Sequence, residues 1–332
     1  MQTKEIRFAS RPSGIPSAEN FQFVDAEVPP LQDGDVLLRS LYISVDPYLR
    51  GRMRERKSYV PPFEIGQVIE SSVVGEVIDS RSPDLKPGDV VSGQLGWRLH
   101  NVAKAKQMMK TIPGVSPTTA LGVLGVTGLT AYFGLLDIGQ PKQGETVVVS
   151  GAAGAVGMSV CQIAKINGCR VVGIAGSDQK NEYLRNELGV DATINYKTAD
   201  IPAALKAASP NGIDVYFDNV GGAVSDAVLP LINDRARIVI CGQISIYCTD
   251  RPAVGLKPEP FLLVHNAMMK GFIITQYWPR FAEGISQLAQ WFKSGQLKHA
   301  ETIVEGFENT PNAFIGLFKG ENLGKQIVKI SD

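Results

Sequence analysis

Three glycines stand three residues apart in the run Gly151, Ala152, Ala153, Gly154, Ala155, Val156, Gly157, directly after the apolar stretch Thr146–Ser150. Val160, Ile163 and Ala164 follow on one face of a helix. Glycine lets a backbone turn tightly against a pyrophosphate, and the free N–H groups and positive dipole end of a helix stabilise the phosphate charge. The spacing is G-x-x-G-x-x-G rather than G-x-G-x-x-G, so the glycines alone are also compatible with simple close packing of a helix on a sheet. An acidic residue about 20 residues beyond such a turn would bind a ribose 2′-hydroxyl. Here the chain reads Gly176, Ser177, Asp178, Gln179, Lys180. Ser177 suits a helix N-cap, and a lysine in the first turn opposes the dipole unless an anion lies there. A 2′-phosphate would be that anion, which favours NADPH. The alternatives are a solvated Lys180 and an Asp178 that takes the ribose of NAD.

The surrounding pattern decides how such a turn would be used. Between about residues 127 and 277, apolar strands alternate with helical segments, as in a parallel sheet covered on both faces. The expected strands are 146–150, 170–176, 192–196, 214–220, 237–242 and 271–276. Six strands fit a doubly wound domain, whose ligands bind beyond the carboxyl ends of the strands. That rule nominates Asn219, Gly242 and the segment after Gly271. Before residue 121 the sequence reads as short strands broken by Asp33-Gly34 and Pro87-Gly88, a β-rich pattern. After a helix over 281–295, ETIVEGF and KQIVKIS read as two strands, with no helix-forming run long enough for another βαβ unit. They are expected to return to the first domain. The fold class is therefore α/β, with a β-rich domain from 1–121 and 297–332 and a doubly wound nucleotide-binding domain over 122–296.

Composition removes other classes. The 332 residues carry 33 basic and 33 acidic side chains, so no net charge drives binding to nucleic acid or an acidic membrane surface. The uncharged runs 111–136 and 146–164 are long enough to span a bilayer but are broken by prolines or glycines, which favours buried soluble elements. Cys161, Cys169, Cys241 and Cys248 form no C-x-x-C pair, and with three histidines neither a disulfide framework nor a zinc site is supported. No apolar secretory segment opens the chain, so a cytoplasmic protein is expected.

Read together, SVDPYLRGRM, GAAGAVG, GSDQK, FDNVGG, ICGQISIY, EGFENTPNAF and GENLGKQIVKI resemble the zinc-independent branch of the medium-chain dehydrogenase/reductases. The likeness is to the leukotriene 12-hydroxydehydrogenase/prostaglandin reductase group, including alkenal and curcumin-type double-bond reductases, and it covers essentially the whole chain. It implies a GroES-like first domain, a Rossmann second domain, a homodimer, and NADPH-dependent reduction of the carbon–carbon double bond in small-molecule α,β-unsaturated aldehydes and ketones. By matched motif it implies that Ser177 and Lys180 hold the 2′-phosphate and that Tyr196 lies near the adenosine. Asn219, the loop Cys241, Gly242, Gln243, Ile244, Ser245, Ile246 and Tyr247, the segment Phe272, Ile273 and Ile274, and Asn322 would complete the cofactor site. From the residues alone, Tyr196 reads more readily as a strand-end aromatic and Asn322 as a turn residue, so both cofactor roles rest mainly on the resemblance. Zinc-dependent relatives carry cysteine ligands in the first domain, whereas no cysteine precedes Cys161, which disfavours a metal-bound alkoxide.

Without a metal, hydride addition to an enone leaves charge on the carbonyl oxygen, which needs a donor. Tyr247 is the first candidate, because a phenol keeps its proton at neutral pH and this one follows a strand end. Tyr48, after the Asp46-Pro47 turn, is the second. His100 and His299 lie in polar surroundings and His265 in a helical stretch, which suits packing rather than catalysis. Arg50, Arg52, Arg54, Arg56 and Lys57 could steer anions or form a solvated loop. The segment 249–260, rich in proline, could line a substrate site or merely connect elements. A quinone reductase of the same superfamily and a non-catalytic NADPH-binding protein are the alternative functions.

Overall fold

The strand and helix alternation of the second half of the chain builds a six-stranded, all-parallel sheet. Its strands lie in the order Ala192–Asn195, Arg170–Ala175, Thr146–Ser150, Ile213–Asp218, Ile232–Ile240, Met268–Gly271. Counted along the chain this is the doubly wound order, with the topological switch between Thr146–Ser150 and Ile213–Asp218. The computed structural model describes residues 1–56, 58–249 and 254–330. It forms two compact units, Met1–Leu121 with Glu301–Asp332, and Gly122–Ala300.

Two strands differ from the sequence expectation by more than two residues at an end. The fifth starts at Ile232, earlier than 237, because a register shift against Ile213–Asp218 and a left-handed Arg235 (φ 60°) let the chain pair on both sides of an irregularity. The sixth is Met268–Gly271, not 271–276. Its Met268 to Gly271 pair with Arg237 to Ile240, after which Phe272 turns onto Gly134 and Ile274–Arg280 winds into a 3-10 helix. The β-branched run that suggested a strand is thus taken up by packing rather than by the ladder. The two uncharged runs fold as several short elements, and among the described residues no helix is long and apolar enough to cross a membrane.

In the first unit a seven-stranded, mostly antiparallel sheet includes both C-terminal strands, Glu301–Glu305 and Lys325–Lys329. These two are parallel, and the helix Thr310–Lys319 lies between them in the chain, so the expectation of no further βαβ unit is corrected. Pro311 at the first turn and Gly320 in the left-handed region (φ 70°) delimit that helix, which an apolar-run count undervalues. Its Phe314 meets Phe21 and Trp97 edge-on, each at 6.2 Å between ring centroids, which explains why the chain end returns to the first unit's core. Residues 297–300 belong with the second unit: the Lys298 N–H donates to Gln162 Oε1 at 2.7 Å, and Gln162 Nε2 donates back to the Lys298 carbonyl at 2.9 Å.

Candidate cofactor and active site

All the sequence-nominated residues of the second unit lie at or just past the carboxyl ends of its strands. After Ser150 the chain turns at Gly151 (φ 59°), and the helix Ala155–Ile166 starts from Gly154 with no side chain capping its first turn. The early N–H groups are therefore available to an anion. A Cβ on Gly157 would sit 2.2 Å from the Gly151 carbonyl oxygen, so the third glycine permits the helix start to rest on the turn. Ala152 and Ala153 are buried beneath it. Turn, uncapped helix and glycine contact fit a pyrophosphate.

At the neighbouring strand end the Ser177 hydroxyl accepts from the Lys180 N–H at 3.3 Å, capping Asp178–Asn186. Burial, and then the positive charge of Lys197, lower the Lys180 ammonium below the ordinary lysine value. Lys197 has no place in the sequence reading, although it follows Tyr196 directly and its charge was the available signal. Two cations brought together in partial burial are relieved by a bound anion, which suits a 2′-phosphate. Tyr196, 42% exposed, lies against Gly176, where a Cβ would come within 2.8 Å of its hydroxyl. Asp178 Oδ1 accepts from Asn195 Nδ2 at 2.8 Å, so this carboxylate joins two strand ends.

The third group surrounds the switch point. Asn219 donates from its backbone to Ser150 Oγ at 2.9 Å and from Nδ2 to the Ser150 carbonyl at 2.8 Å, which places it beside Gly151. Cys241 and Gly242 donate to the Asp218 carbonyl, Ile244 to that of Asn219, and Ser245 to that of Val220. The 3-10 turn Ile244–Ile246 is thereby seated on the 219–222 turn. Tyr247 folds back so that its hydroxyl accepts the Gln243 N–H at 3.1 Å, and Gly242 leaves room for it. That bond uses an oxygen lone pair, so the hydroxyl proton is left to donate. Burial raises Tyr247 above the ordinary phenol value, with smaller contributions from Cys241 and Asp218, and keeps that proton in place. The Cys241 thiol is pushed up to about 12 by burial and stays protonated. Phe272 packs on Gly134 and meets Tyr277 edge-on at 6.3 Å, leaving the backbone of Phe272, Ile273 and Ile274 at the strand end.

Tyr48 and Asn322 belong to the first unit. Burial, followed by the charge of Asp46, raises the Tyr48 phenol well above its ordinary value. Asn322 donates from Nδ2 to the Gly324 carbonyl at 2.7 Å, the bond of a turn residue. The steering role of the basic run is corrected in part: Arg50 is fully buried and donates to the carbonyls of Pro12 and Gly14. Arg52 donates to the Pro61 carbonyl at 2.9 Å and lies 3.8 Å over the Phe63 ring. Lys57 lies outside the described residues, as do residues 250–253 of the proline-rich segment, in which Leu256 donates its N–H to Asp226 Oδ1. His265 follows the helix Glu259–Val264 rather than lying within it, with Nδ1 3.0 Å from Asp234 Oδ1, and His299 packs on Phe292. Burial lowers His100 below the ordinary imidazole value. Among the described residues no three His, Cys, Asp or Glu side chains come together as a metal cluster.

Residues 4–111 match the family described as the N-terminal domain of oxidoreductase, and residues 155–291 the family described as zinc-binding dehydrogenase. The chain is 54% identical to YfmJ of Bacillus subtilis (strain 168), over 99% of this chain and 98% of that protein. It is 44% identical to the NADPH-dependent curcumin reductase of Escherichia coli (strain K12), over 97% of this chain and 95% of the relative. The structure of CurA from Vibrio vulnificus in complex with NADPH superposes with a TM-score of 0.94 at 42% identity, covering 99% of both chains. The chain belongs to the zinc-independent branch of the medium-chain dehydrogenase/reductases, in the group of the curcumin and prostaglandin reductases, and is an NADP(H)-dependent oxidoreductase.

Proposed function

We propose that the enzyme reduces the carbon–carbon double bond of α,β-unsaturated ketones and aldehydes, with Tyr247 as the donor to the carbonyl oxygen. The observation that carries this reading is the Tyr247 hydroxyl, held by the Gln243 N–H above Gly242 with its own proton retained by burial. When bound, NADPH supplies the hydride. As the β-carbon of the substrate becomes saturated, negative charge builds on its carbonyl oxygen, a hydrogen bond from Tyr247 stabilises that enolate-like arrangement, and a proton from Tyr247 or water then completes the α-carbon. Lys180 and Lys197 hold the 2′-phosphate, and the turn from Gly151 to Gly157 holds the pyrophosphate. The names of the relatives, curcumin reductase and prostaglandin reductase, support reduction of small organic substrates.

The test is incubation of the purified protein with NADPH and, separately, a panel of enones, enals and quinones, with products identified by mass spectrometry. The expected product gains two hydrogens across the double bond and keeps its carbonyl. Turnover of quinones alone would replace this reading by a quinone reductase, and binding without turnover of any panel member by a non-catalytic role.

A further inference from the structure

Asp218, at the carboxyl end of the strand Ile213–Asp218, has only 1% of its surface exposed and yet receives hydrogen bonds from every direction. Its Oδ1 accepts from Ser150 Oγ at 2.9 Å, Tyr216 OH at 2.8 Å, the Val220 N–H at 2.9 Å and the Gly221 N–H at 2.8 Å. Its Oδ2 accepts from Ser225 Oγ at 2.7 Å. The main-chain carbonyl of the same residue takes the N–H groups of Cys241 and Gly242 at 2.9 and 3.0 Å. One residue thus joins the strand end that leads into Gly151, the turn that carries Asn219, and the start of the loop that carries Tyr247.

We propose that Asp218 is the positioning residue of the cofactor site, a buried carboxylate that fixes these three turns in the arrangement that NADPH meets. The inference rests on the function proposed above but assigns a role to a residue that need not touch cofactor or substrate. Ser150 is the relay: its hydroxyl donates to Asp218 and accepts from Asn219, so the glycine turn and the Asn219 turn share one anchor. Gly221 (φ 73°) and Gly222 (φ 59°) place the chain in a conformation that only glycine adopts readily, and the Gly221 N–H that this presents is one of those the carboxylate binds. A carboxylate suits the place because all five side-chain bonds run toward it, and an acceptor with negative charge makes each of them stronger. Burial, and then the neighbouring Asp218, raise the Tyr216 phenol well above its ordinary value, so its hydroxyl keeps the proton that it donates to Oδ1.

The same strand supplies a control. Asp214 lies at its other end, where it accepts from the Thr146 N–H and from Asn233 Nδ2, each at 2.8 Å, and anchors the sheet away from the cofactor turns. NADPH binding to Asp218→Ala, Asp214→Ala and Ser150→Ala is measured by the fluorescence of the bound reduced nicotinamide, with thermal unfolding in parallel. Both aspartate variants should lower Tm. Asp218→Ala should weaken NADPH about tenfold or more, because its buried donors lose their acceptor. Asp214→Ala should stay within about twofold. Asp218→Asn, which keeps an acceptor at Oδ1, should recover part of the affinity, and in steady-state turnover KM for NADPH should move more than kcat. Equal loss of affinity in Asp214→Ala would reduce Asp218 to a stability residue and overturn the inference. Should Asp218→Ala fail to fold, Ser150→Ala decides: unchanged NADPH affinity overturns the inference, and a severalfold loss supports it. No NADPH binding by the unsubstituted protein would overturn the function itself, a result distinct from binding retained in the variants.

Discussion

The charge of Lys197 reaches Lys180 and, after burial, is the second cause of its lowered ammonium pKa. If the pair holds a 2′-phosphate, Lys180→Ala should raise KM for NADPH about tenfold to a hundredfold, since a charge-assisted contact contributes roughly 1.5 to 3 kcal/mol. KM for NADH should change little. Lys197→Ala should weaken NADPH less, while raising the Lys180 pKa. Because Lys180 loses its proton below the ordinary lysine value, the preference for NADPH should decay early on the alkaline side, and Lys197→Ala should shift that decay to higher pH. Parallel losses for NADPH and NADH would remove the assignment.

Tyr247→Phe keeps the ring and deletes the hydroxyl. NADPH affinity should be nearly unchanged, while single-turnover hydride transfer to an enone slows by a factor of about a hundred to a thousand, the cost of a lost oxyanion donor. Burial raises this phenol above its ordinary value, so the rate of the unsubstituted enzyme should stay level through neutral and mildly alkaline pH and fall only where Tyr247 ionises. The variant should lack that fall. An unchanged transfer rate would move Tyr48 to first place.

The alternation of strands and helices and the glycine turn were legible because they rest on local rules: apolar runs, a helix period, and glycines where the backbone must pass close. Ser177 as a cap was legible for the same reason. Strand ends were less so, since the apolar run after Gly271 is satisfied equally by a ladder or by the packing of Phe272 against Gly134. The buried charges were not legible. Hydropathy patterns assign Asp218, Arg50 and Lys325 to solvent, and only the fold supplies the donors and acceptors that let each be enclosed. Lys197 escaped notice because its significance lies in its distance from Lys180, not in its own neighbours along the chain.

The glycine turn gives a comparison within one motif. Gly157→Ala places a Cβ against the backbone at Gly151 and Ala152, where nothing flexible can yield. It should destabilise by about 1 to 3 kcal/mol, as overpacking does, and weaken NADPH by displacing the turn. At Gly154 the φ of −86° suits any residue and the nearest atom is 3.3 Å from the added carbon, so Gly154→Ala should cost only about 0.5 to 1 kcal/mol through a poorer N-cap. Urea unfolding and NADPH titration of both variants test this, and equal effects would contradict it.

Lys325 is the counterpart of Asp218 in the first unit. With 4% of its side chain exposed, its ammonium donates to the Val45 carbonyl at 3.0 Å, Asp46 Oδ1 at 3.1 Å and the Gln326 carbonyl at 3.0 Å, and so fixes the segment that leads into Tyr48. Lys325→Met keeps the apolar stem, removes the charge, and leaves the two carbonyls and Asp46 without that donor. Breaking a buried pair by deleting one partner costs about 3 to 5 kcal/mol, and the partial exposure of Asp46 places this case near the lower end. The urea midpoint should fall with little change in slope. Adding Asp46→Asn should return part of the loss, because the uncompensated charge is then gone, and the double-mutant cycle isolates the pair. A midpoint unchanged in Lys325→Met would mean that the strand alone holds this segment.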